Sequence, residues 1–140
     1  MMRRAALFIF AAILAACSDP STSARSAAEA FLDAHYVHMD LDRAKEHASG
    51  LARDKIDKEI QLTKNQEITG ETRRPHVNYR LQRGDETPTA GQFVYELSIR
   101  VDGADPFKKL VMVTVRNDQG AWAVTNYNDS DLPEPLTNGG

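Results

Sequence analysis

The hydrophobic pattern of the chain changes period once, and that change restricts the fold more than any other feature. From Ser26 to about Met39, the residues Ala28, Phe31, Leu32, His35, Tyr36 and Met39 recur at helical spacing on one face. From His76 onward the spacing is two. Val77, Tyr79 and Leu81 alternate with Asn78, Arg80 and Gln82, and Phe93, Tyr95, Leu97, Ile99 and Val101 then alternate with mostly polar neighbours. Helices therefore come first and strands follow, the segregated order of an α+β domain.

The details sharpen this reading. After a break at Asp40, "LDRAKEHA" reads as a second, short helix with Asp40 or Asp42 as its N-cap and Gly50 as its stop. A third helix is predicted from Leu51 to about Leu62. It is charged and only weakly amphipathic, through Ile56 and Ile60, and its alternating signs read as a solvated face. "LVMVTVR", Leu110 to Arg116, is apolar at almost every position, which predicts a strand packed on both faces. The last strand is "AWAVTNY", Ala121 to Tyr127, after the turn "NDQG". The linkers "GDETPTAG" and "DGADP" are short and rich in turn residues, so neighbouring strands should run antiparallel as a four-stranded meander.

Ahead of the domain, "RRAALFIFAAILAACSD" carries an uncharged, largely apolar run from Ala5 to Ala16. As a helix it would reach roughly 18 Å, short of a hydrocarbon core of about 30 Å, so it cannot span a bilayer. Two arginines before it and small residues after it are the grammar of a secretory signal peptide. Its ending, Leu14-Ala15-Ala16-Cys17, resembles the lipobox of bacterial lipoproteins in all four positions. That resemblance implies cleavage between Ala16 and Cys17, acylation of the Cys17 thiol, and a second acyl chain on the new amino terminus that makes attachment long-lived. Cys17 is the only cysteine of the chain. An exported protein with one cysteine has no disulfide partner for it, and lipidation gives that thiol a use. Ser18, and not an aspartate, follows Cys17, so the expected destination is the outer membrane, facing the periplasm.

The predicted organisation is a signal peptide over residues 1–16, a lipidated cysteine and tether over 17–25, one domain over 26–128 and a disordered tail over 129–140. Loss of Arg3 and Arg4 with the signal makes the chain more acidic than its overall net charge of −3. No basic excess is left to neutralise phosphates, which argues against a nucleic acid partner, and attachment to lipid rests on the acyl chains.

The helix "SAAEAFLDAHYVHMDLDRAKEHAS" followed by a meander closing on "GAWAVTNY" resembles the NTF2-like/cystatin-like group of small α+β domains. The resemblance covers about Ser26 to Asp129. It implies a curved sheet wrapped around the first helix as a cone with an apolar pocket, and pairing of two copies through the sheet as one expectation. It carries no catalytic signature, and a fold hosts many functions.

Within such a cone the candidate pocket residues are His35, Tyr36, Tyr79 and Tyr95. His35 lies inside the apolar face of helix one, where a histidine could act as acid or base, and the tyrosine hydroxyls could point into the same space. Such residues more often simply fill a packed core and find one polar partner each. His35 and His38 are three apart and His47 follows, but no third and fourth ligand is in view, so no metal or cofactor is expected. No glycine-rich phosphate loop or nucleophile motif occurs. The expected function is a membrane-anchored, non-enzymatic module binding a small apolar ligand or an envelope protein. The alternatives are a dehydratase- or isomerase-type enzyme using His35, and an immunity-like toxin inhibitor.

Overall fold

A computed structural model describes residues 22–66 and 74–132. The signal peptide, the lipobox with Cys17, and residues 133–140 lie outside the described residues. No helix among the described residues is long and apolar enough to cross a membrane.

The first helix, α1, spans Ala24–Leu32 and begins two residues earlier than the sequence suggests, because Ser23 and Ser26 cap it reciprocally. The Ser26 amide donates to Ser23 Oγ at 3.1 Å and the Ser23 amide to Ser26 Oγ at 3.0 Å. The helix does not run unbroken to Met39. After Leu32 it widens into a π-helical turn, Asp33–Val37, closed by the His38 amide on the Asp33 carbonyl at 2.8 Å and the Asp40 amide on the Ala34 carbonyl at 2.8 Å. Met39 leaves the helix at φ 53° and is 42% exposed, so it is not part of the buried face.

Helix α2 spans Leu41–Glu46, with Asp40 as its N-cap: the Asp40 carboxylate accepts from the Arg43 amide at 3.0 Å. Gly50 does not stop it. His47 closes α2 in a turn, Ala48 bridges to Val124, Ser49 is extended, and Gly50, at φ 55°, opens α3, Gly50–Thr63.

Four strands follow: β1 His76–Glu86, β2 Ala90–Arg100, β3 Phe107–Asp118 and β4 Ala121–Asp131. They form one antiparallel sheet in the order β1-β2-β3-β4. Strands β1 and β4 each pass an irregularity in register, between Leu81 and Arg83 and opposite Thr114 and Val115. Both run beyond their apolar pattern. β1 pairs as far as Glu86, and β4 includes Asp129 to Asp131, which the sequence had suggested for the tail. Strand β3 is not packed on both faces: Val111, Val113 and Val115 are fully buried, whereas Met112 is 40% exposed. Helices cover one side of the sheet only, so the alternating side chains of β3 part between core and solvent.

The core lies between α1 and the covered face. Ala27, Ala28, Phe31 and Leu32 meet Tyr95, Leu97, Val111, Val113 and Val124. Alanines on α1 let the helix axis come close. At its first turn Ala24 sits beside Gly91, where a β-carbon would come within 3.0 Å of the Ala24 methyl. Each fully buried large side chain of this set contributes about 1.5–3 kcal/mol by leaving water.

Candidate functional site

The π turn decides where the candidate residues point. One extra residue in the helical turn brings His35 and Tyr36 together on the side that faces α3 and β4, while Asp33 is left facing β1. The four candidates therefore do not converge on one space. They form two groups on opposite sides of helix one.

On the β4 side, His35 stacks on Phe31 with ring centroids 5.4 Å apart, and lies 4.3 Å from Tyr36 and 5.1 Å from Tyr127. Its Nε2 is 2.8 Å from Oε2 of Glu59 on α3. The other oxygen of that carboxylate, Oε1, accepts from the Tyr127 hydroxyl at 2.5 Å. An ionised carboxylate only accepts, so the nitrogen that carries a proton toward Glu59 is Nε2, and Nδ1 is the nitrogen on the far side of the ring. That Nδ1 is buried with no hydrogen-bond partner among the described residues. Beside this group the Tyr36 hydroxyl donates to Asp129 Oδ2 at 3.0 Å. Lys55, one turn before Glu59, reaches the sheet edge and donates to Asn126 Oδ1 at 2.8 Å, the Tyr127 carbonyl at 2.8 Å and Asn128 Oδ1 at 3.0 Å. Its ammonium also lies 5.3 Å from the centre of the Tyr127 ring.

On the β1 side, Tyr79 and Tyr95 meet edge to face at 5.6 Å. The Tyr79 hydroxyl donates to Asp33 Oδ1 at 2.9 Å, and the Tyr95 hydroxyl to Glu29 Oε1 at 3.5 Å. Glu29 on α1 and Asp33 at the start of the π turn are one helical turn apart. Every tyrosine of the chain thus donates its hydroxyl to a carboxylate. Burial is the largest cause that raises each phenol above the ordinary tyrosine range, and the facing carboxylate adds to it: Asp129 for Tyr36, Asp33 for Tyr79, Glu29 for Tyr95 and Glu59 for Tyr127. Phe31, Leu32, Tyr95 and Leu97 are fully buried, so the stretch of cone beside α1 is filled by side chains.

His38 is exposed and lies apart from His35, on the wall of a surface depression with Met39, Leu41, Ile60, Lys64 and Arg74. His47 is partly buried beside β4, to which its carbonyl is bonded, and burial lowers its pKa. No group of three or more histidine, cysteine, aspartate or glutamate side chains placed to hold a metal occurs among the described residues.

Sequence reasoning missed Lys55, Glu59, Tyr127 and Asp129. Lys55 and Glu59 stand in the run of alternating charges that suggested a wholly solvated helix face, yet both turn toward β4. The available signal was their position, each directly before Ile56 or Ile60 on the border of the weak apolar stripe.

No family model and no curated protein matches the chain. Solved structures do. The chain is similar to a putative calcium/calmodulin-dependent protein kinase type II association domain from Thiobacillus denitrificans, at 11% identity over 82% of this chain and 99% of that one, with a TM-score of 0.65. It is also similar to the NTF2 design Rd1NTF2, at 13% identity over 76% and 96% of the two chains and a TM-score of 0.55. The fold is NTF2-like. A third likeness is to the VirB8 protein of Agrobacterium tumefaciens, at 14% identity over 78% of this chain and 90% of that one, with a TM-score of 0.53. At these identities the likenesses speak for the NTF2-like fold and not for any activity.

Proposed function

We propose that the protein is a bacterial envelope lipoprotein, acylated at Cys17 and held on the periplasmic side of the outer membrane, whose NTF2-like domain binds another envelope protein and is not a catalyst. The observation that carries the second half is the state of His35. A general base must reach the proton it takes. His35 has one nitrogen against Glu59 and the other sealed in the core, and its neighbouring tyrosine hydroxyls are tied to carboxylates. The filled stretch of cone beside α1 supports a partner met on the outside over a small apolar ligand within it. The first half rests on the apolar run and on Leu14-Ala15-Ala16-Cys17.

Two measurements test this reading. Cys17→Ser should prevent lipid modification and move the protein out of the detergent-extracted membrane fraction; unchanged lipid-modified protein in that variant refutes the anchor. Native mass spectrometry of the gently purified protein should give the mass of the polypeptide and its acyl groups alone. A stoichiometric small-molecule adduct would overturn the surface-binding reading and make the cone a ligand or substrate site.

A further inference from the structure

We propose that the domain stands on the membrane on its hairpin tips, with the connections β1–β2 and β3–β4 toward the lipid headgroups and the β2–β3 connection pointing away. This rests on the anchoring at Cys17 proposed above and adds the surface that meets the bilayer. Fully extended, the chain from Cys17 to Ala24 reaches at most about 25 Å. The end of that reach is well defined. The reciprocal cap at Ser23 and Ser26 fixes the start of α1, and Ala24 is buried, 3% exposed, against Gly91 and beside Val115. Gly91 lies next to the β1–β2 connection, and Val115 lies near the end of β3. The Asn117 amide donates to the Thr89 carbonyl at 2.9 Å, which joins the two hairpin tips at this end of the molecule.

The opposite end is far away. The strands have 11 or 12 residues, and at ~3.3 Å per residue they carry the chain about 35 Å from the hairpin tips to the β2–β3 connection. A short tether entering at one end of a body that tall brings that end to the headgroups and holds the other out in the periplasm. The depression walled by His38, Met39, Leu41, Ile60 and Lys64 lies at the raised end, where α1 with its π turn and α3 finish.

The test uses the lipidated protein in vesicles of phosphatidylethanolamine and phosphatidylglycerol with an acceptor dye on a trace of headgroups. Because acylation consumes Cys17, one introduced cysteine is the only thiol open to a donor dye. Thr89→Cys marks the hairpin tips and Asp105→Cys the β2–β3 connection, and both positions are exposed. Energy transfer should be about two-fold or more greater from residue 89 than from residue 105, given a separation of about 35 Å along the strands. Equal transfer, as from a domain lying on its side, or greater transfer from residue 105 would overturn the orientation while leaving the anchor standing. If neither variant floats with the vesicles and Cys17 itself takes dye, the anchor fails and the orientation falls with it.

Discussion

Glu59 joins three elements through one carboxylate. It stands on α3, takes the Tyr127 hydroxyl of β4 on one oxygen and faces His35 of the π turn with the other. Glu59→Ala would leave a phenol and an imidazole N–H without their acceptor at a half-buried position. A loss of about 2 kcal/mol in urea unfolding is expected, since an unmatched donor costs about 1–3 kcal/mol. Glu59→Gln should lose less, because its amide oxygen still accepts from one of the two. A loss below ~0.5 kcal/mol for the alanine variant would show that the contact does not hold in solution. This residue was missed in the sequence, as was Tyr127, whereas His35, Tyr36, Tyr79 and Tyr95 were legible. His35, Tyr79 and Tyr95 stand out because each interrupts an apolar face at that face's own period. Glu59 sits among Asp57, Lys58 and other charges, and its position directly before Ile60, on the border of a weak apolar stripe, is the one sign in the sequence that separates it from them.

Among the elements, the approach of α1 to the sheet depends on the residues that are missing side chains. Gly84 and Gly91 flank the ring of Phe93: a β-carbon at Gly84 would meet Phe93 Cδ1 at 2.8 Å, and one at Gly91 would meet Phe93 Cε2 at 2.9 Å, with Ala24 Cβ and Val115 Cγ2 each at 3.0 Å. The crowding at Gly91 comes from three sides, and Phe93 is itself buried, so little can give way. Gly91→Ala is expected to cost about 1–3 kcal/mol through overpacking. In a domain of this size that is a fall in Tm of roughly 5 °C or more by calorimetry. An unchanged Tm would mean that α1 sits farther from the sheet. The helices and the alternating strands β1 and β2 are legible from periodicity because one face of each is buried and the other wet, whereas the unbroken apolar run of β3 marks a strand but hides that Met112 faces solvent. The ends of the elements are not legible. β1 continues past Leu81 and β4 past Tyr127 through backbone pairing, which needs no apolar side chain, and the π turn leaves the spacing of Phe31, His35 and Tyr36 indistinguishable from an ordinary helix.

For the whole molecule, four buried or half-buried phenols held against carboxylates give the stability a definite dependence on pH. Tyr36, Tyr79, Tyr95 and Tyr127 all have their pKa raised in the folded state, by burial first and by the facing carboxylate after it. In the unfolded chain a tyrosine ionises near pH ~10. Above that pH the unfolded state gives up protons that the folded state keeps, so stability is fully present below about pH 10 and falls as the pH rises beyond it. In an alkaline titration the tyrosinate absorbance should therefore rise in one steep step, together with the loss of far-ultraviolet circular dichroism. A gradual rise near pH ~10 with the circular dichroism unchanged would show that the hydroxyls are free.

Strand β4 is an outer strand of the sheet, yet its edge is taken at Val124 and at Tyr127. The Ser49 amide bonds to the Val124 carbonyl at 2.8 Å, the Val124 amide to the His47 carbonyl at 2.9 Å, and Lys55 takes the carbonyl of Tyr127 farther along. A sheet whose far edge is occupied can grow from one margin alone. Two copies that met edge to edge would both have to use β1, and a contact that employs the same strand twice closes on itself at two. The short bridge between α2 and α3, with one lysine behind it, therefore turns a potential polymerisation surface into a chain terminator.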